Sequence, residues 1–92
     1  MTDILVLEPP AYALIDWEKL LDSQGFKALV TRRIEDAHEA LSGEMLYLAI
    51  IDVRVPWKDC SVLLERMYTK DIPVLFVGCS DKNTSHVMTQ YD

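Results

Sequence analysis

Glycine is scarce in this chain, with three in 92 residues and no two of them close together. That excludes the glycine-rich turns that cradle nucleotide phosphates. Cysteine is as scarce: Cys60 and Cys79 form no C-x-x-C pair and no metal-ligand spacing, so a structural zinc site and a dithiol redox motif are both excluded. Positive charge is in deficit, nine Lys and Arg against fifteen Asp and Glu, for a net charge of −6. A nucleic-acid surface needs clustered cations, and the one basic doublet, Arg32-Arg33, reads as a solvated turn. No apolar run approaches the ~20 residues that a membrane span requires. Met1-Thr2-Asp3 carries an acid where a secretion signal would carry a base. A cytoplasmic, reducing location is the expectation, with no membrane and no nucleic-acid partner. Spacing suggests no Ser/His/Asp or Cys/His constellation.

Half of the residues are hydrophobic and about a quarter charged, the composition of one small globular domain. The most informative stretch is Leu48-Ala49-Ile50-Ile51-Asp52, followed by Val53-Arg54-Val55-Pro56. A continuous apolar run is the signature of a strand buried on both faces. Its terminal carboxylate falls where open α/β sheets place their ligand sites, at the carboxyl end of a strand. Asp52 has two readings: a site residue, or a local cap for the loop that follows it.

Around that strand the pattern alternates. Ile4–Leu7 reads as a first strand, stopped by Glu8-Pro9-Pro10. Leu14, Trp17, Leu20 and Leu21 recur at helical spacing between Ala11 and Ser23, and Gly25 ends that helix. Phe26–Val30 is a second strand at a sheet edge, and 31–33 connect it to a helix marked by Ile34, Ala37 and Leu41. His38 falls on the polar side of that helix as a solvated histidine. The central strand runs Leu46–Val53, and a third helix carries Val62, Leu63, Leu64 and Met67 with Asp59 as its N-cap. Ile72–Val77 is a fourth strand ending at Gly78. Residues 79–92 contain no convincing strand, and Ser85–Met88 reads as a short helix or a frayed tail. There is no repeat, linker or low-complexity segment. A β-α-β-α-β-α-β order implies a parallel sheet covered by helices through right-handed crossovers.

Four pieces in this order resemble the receiver domain of bacterial two-component response regulators: Ile4-Leu5-Val6-Leu7-Glu8, Gly25-Phe26, Asp52-Val53-Arg54-Val55-Pro56 and Pro73-Val74-Leu75-Phe76-Val77-Gly78. The similarity spans roughly residues 3 to 80. It implies a three-layer, flavodoxin-like α/β domain over 1–80, with a parallel sheet in the order 2-1-3-4 that lacks the family's fifth strand and helix, and 81–92 as a polar tail of the same domain. It also implies Asp52 as the candidate phospho-acceptor and Glu8 with Asp52 as the candidate magnesium ligands.

The departures weaken that site. Pro9 stands where the family's second acid would be, and magnesium prefers about six oxygen ligands. Gly78 replaces the Ser or Thr whose hydroxyl follows the phosphoryl group, Cys60 replaces a glycine, and the family's Lys has no counterpart. Magnesium binding is expected to be weak and no cofactor is required. Trp57 follows the loop after Asp52 and reads as a plug for the pocket, or else as a partner contact. A Cys60–Cys79 thiol switch is a further candidate. Without a fifth strand, Val74, Leu75, Phe76 and Val77 form an open apolar edge that something must cover: the tail, another protein or a second copy. A homodimer through this interface is the expectation. The functional reading is an atypical, non-enzymatic receiver-like module, a pseudo-receiver of the phosphorelay type, that acts by protein–protein contact independently of phosphorylation. The alternative is a single-domain response regulator phosphorylated at Asp52 by a histidine kinase or phosphotransfer protein; a third is a stand-alone domain with no signalling role.

Overall fold

The computed structural model describes residues 2–9, 15–43, 45–78 and, at the level of the backbone, 89–91. Four strands, β1 (Ile4–Leu7), β2 (Ala28–Thr31), β3 (Leu48–Asp52) and β4 (Val74–Val77), lie parallel in the order β2-β1-β3-β4. Three helices separate them: α1 (Trp17–Asp22), α2 (Ile34–Gly43) and α3 (Trp57–Thr69). The α/β class, the parallel run of these four strands and their order 2-1-3-4 are as expected.

Period-two alternation divides the core between the sheet's two faces. Leu5, Leu7, Ala49 and Ile51 face α2 and α3, where they join Ala37, Leu41, Leu63, Leu64 and Met67. Ile4, Val6 and Ile50 face the other way, toward Trp17 and Leu21 of α1. Burying β1 and β3 on both faces is what their unbroken apolar sequences require.

Several boundaries differ from expectation. α1 begins at Trp17, where Asp16 caps it: the Asp16 Oδ1 accepts from the Lys19 N–H at 3.1 Å. Residues 11–14, the start of the expected helix, lie outside the described residues. No residue of α1 is buried, and Leu20, placed on its apolar stripe by spacing, is exposed. β2 starts at Ala28 and includes Thr31, whose hydroxyl donates to the Val6 carbonyl at 2.9 Å inside the sheet. The N-cap of α3 is Pro56, in extended backbone; Asp59 lies inside the first turn, where a carboxylate favours the helix dipole without capping it. Val62 of the expected apolar stripe points to solvent.

The largest correction is a fifth strand. β5 (Thr89–Tyr91) pairs antiparallel with β4, in the register Val74↔Tyr91, Leu75↔Gln90 and Phe76↔Thr89. Three residues, two of them polar, carry too little hydrophobic pattern to stand out in sequence. The chain's own return closes the edge at Val74–Phe76, so the reason for a homodimer through Val74, Leu75, Phe76 and Val77 falls away.

Candidate functional site

Glu8 follows β1 and Asp52 ends β3, and the β1–β3 register pairs Leu7 with Ile51, so the two acids emerge side by side at the sheet's carboxyl edge. Both are buried, at 2% and 8% exposure. A buried carboxylate demands compensation, and each of these has an arginine.

Asp52 is held by the loop it opens. Its Oδ1 accepts from the Arg54 backbone N–H at 2.8 Å and from Arg54 Nε at 3.0 Å, while Oδ2 accepts from Arg54 Nη2 at 2.7 Å. The guanidinium thus forks across both oxygens, the strongest common geometry for this pair. The Val55 N–H donates to the Asp52 carbonyl at 3.0 Å and completes the turn. Burial by itself pushes the Asp52 carboxyl up; the hydrogen bonds and charge of Arg54 together outweigh it and hold the group below its ordinary value. Asp52 is therefore ionised, bonded at both oxygens and engaged as the cap of its own loop.

Glu8 is held across the sheet. Leu7 pairs with Thr31, which makes Arg32 the cross-strand neighbour of Glu8. Arg32 Nη2 lies 2.9 Å and Nε 3.1 Å from Glu8 Oε2. The Arg32-Arg33 doublet is accordingly no plain solvated turn: Arg32 is tied to a buried acid, whereas Arg33 makes only a loose, exposed pair with Glu35 at 3.5 Å.

Beside Asp52 opens a cleft of about 330 Å³, walled by Ile51, Val53, Val55, Trp57, Cys60 and Phe76. Trp57, the expected plug, stands at its mouth with 61% of its surface exposed. Cys60 is buried, its thiol 3.5 Å from the Trp57 carbonyl, and burial pushes that thiol up, away from a reactive thiolate. Cys79 and Ser85–Met88 lie outside the described residues. Gly78 packs against Val53, and a β-carbon at position 78 would run into a Val53 methyl. The space a side chain at position 78 would enter is thus filled from the neighbouring strand end.

The fit to magnesium can be tested on these donors. Both Asp52 oxygens and Glu8 Oε2 already accept from guanidinium groups, Pro9 has no side-chain oxygen, and no group of three or more His, Cys, Asp or Glu among the described residues is placed to hold a metal ion. Magnesium wants about six oxygens near octahedral geometry. These residues do not fit it.

No family model, curated protein or solved structure matches this chain. Its own side chains must carry the functional reading.

Arg54 and Arg32 are the site residues that motif reading passes over. Each had a signal. An Arg two residues after a strand-ending Asp can close an Asx turn on it, and residues following paired positions of adjacent parallel strands meet at the sheet edge. His38, read as solvated, is partly buried and touches Arg66 instead, with Arg66 Nη1 2.7 Å from its Nδ1. No helix among the described residues is long and apolar enough to cross a membrane.

Proposed function

We propose that this chain is a receiver-like signalling module of the cytoplasm that works by protein–protein contact and does not use phosphorylation at Asp52. One observation carries the reading: the Arg54 fork occupies both oxygens of the buried carboxylate at the end of β3. Attack on a phosphoryl donor needs a free carboxylate oxygen and a cation that neutralises the incoming phosphoryl oxygens. Here the cation is spent on the carboxylate itself, and a hydroxyl-bearing side chain at position 78 would run into a methyl of Val53. The partners that fit such a module are proteins, a histidine kinase or another two-component protein among them.

A competing reading, a regulator phosphorylated at Asp52, draws on one feature, the cleft beside that residue. Amide NMR of the 92-residue chain with magnesium and beryllofluoride separates the two, together with the intact mass after incubation with acetyl phosphate. The expected result is no shift at Asp52, Glu8 or Gly78 and no phosphoryl adduct. A saturable shift at these residues, or an adduct mapped to Asp52, overturns the proposal.

A further inference from the structure

At the opposite side of the sheet from β5, β2 has no neighbour beyond it among the described residues. The Lys27 and Thr31 carbonyls accept from the Ile4 and Glu8 N–H groups at 3.1 and 3.0 Å, so odd-numbered residues of β2 bond inward to β1. Alternation then turns the N–H and C=O of Ala28 and Val30 outward, a short open ladder of two donors and two acceptors.

This edge runs between two grooves, one on each face of the sheet. On the α2 side a groove of about 380 Å³ is bounded by Leu29, Thr31, Asp36, Glu39, Ala40 and Gly43, and Leu29 is 37% exposed in it. On the α1 side a groove of about 470 Å³ is bounded by Asp16, Glu18, Asp22, Lys19, Lys27 and Ala28. Five exposed carboxylates thus flank the strand against two lysines. Successive side chains of an added strand fall alternately into the two grooves, so each groove reads every second residue of the newcomer.

We infer that the β2 edge is a strand-addition site for an extended, lysine- or arginine-rich segment of a partner protein, with an apolar residue seated over Leu29. Cations on both faces of that segment meet the acids of both grooves. A second copy of this chain fits less well, because it brings its own surplus of acids to the same grooves and a net charge of −6 to the encounter. The inference rests on the reading of the chain as a protein-contact module and names the surface and the partner chemistry. The phosphate test above reads Asp52, Glu8 and Gly78 and the one below reads β2, so the failure of one is distinguishable from the failure of the other.

The test uses the 92-residue chain and a pentapeptide blocked at both ends, Lys-Lys-Val-Lys-Lys, followed by amide NMR and hydrogen exchange. Expected are saturable shifts centred on residues 28–31 with slowed exchange at Ala28 and Val30. N-methylation of the peptide backbone should weaken binding by about tenfold or more, as should the double substitution Asp36→Lys/Glu39→Lys in the protein. Replacing the peptide's lysines by Glu should abolish binding. Val30→Pro removes an outward N–H that the fold does not use, so it should weaken the peptide while the remaining amide spectrum persists; the exposed Asp36 and Glu39 substitutions keep the test open if that variant does not fold. Absence of shifts, shifts scattered over the surface, equal binding by the N-methylated peptide, or a dimer already protecting Ala28 and Val30 without peptide would each overturn the inference.

Discussion

Asp52 and Arg54 are two residues apart, so their pairing costs little chain entropy and forms as soon as the turn does. Because its folded-state value is lowered, Asp52 adds stability above its ordinary value near 3.8 and loses it as pH falls through the folded value. Asp52→Asn should therefore be about 1–2 kcal/mol less stable than the parent at pH 7 by urea denaturation, as expected for a lost charge-assisted pair. The gap should close progressively below about pH 4. A gap unchanged down to pH 2 would mean that the charge of Asp52 contributes nothing. Gly78 is constrained differently, by volume and not by charge. Gly78→Ser should cost about 1–3 kcal/mol through overpacking against Val53, and Val53→Ala in the same chain should return most of that loss. Equal costs in both backgrounds would show that the two residues do not interact.

Among the elements, α2 and α3 are joined by more than apolar packing. Arg66 of α3 donates to the His38 carbonyl at 3.2 Å and to the Ser42 hydroxyl at 3.0 Å, and its Nη1 lies 2.7 Å from His38 Nδ1. Three contacts from one partly exposed guanidinium should contribute about 1 kcal/mol. Arg66→Ala should lower stability by that amount and Arg66→Lys by most of it, since an ammonium cannot reach the three acceptors at once. Thermal or urea melts check this, and a Lys variant equal to the parent would remove the geometric argument. The same helix ends in a Schellman motif: the Asp71 N–H donates to the Tyr68 carbonyl, the Ile72 N–H donates to Met67, and Asp71 takes φ 59°. After α1, Gly25 takes the corresponding place at φ 88°, with Phe26 N–H bonded back to Leu21. Gly25 was legible as a stop because glycine announces this conformation; Asp71 was not, because an aspartate there is indistinguishable from a surface charge. α1 is short and only half-buried at Trp17 and Leu21, so its start could not be read from apolar spacing, and the cap at Asp16 decided it.

For the whole molecule, apolar runs made β1, β3 and β4 legible, and their alternation with helices made the strands parallel, while their order followed from the resemblance. What escaped the sequence was polar. The arginine partners of Glu8 and Asp52, the histidine contact of Arg66 and the strand Thr89–Tyr91 depend on which distant segments the fold brings together, and no local pattern records that. The same sheet has two unlike borders: β4 is closed by the chain itself, while among the described residues β2 keeps its outward ladder between acidic grooves. The interlock of Val53 with Gly78 has an evolutionary consequence. Any larger residue at position 78, a hydroxyl-bearing one included, meets a Val53 methyl. The order of two changes therefore matters: a smaller residue at 53 opens position 78, whereas enlarging 78 first passes through an overpacked state.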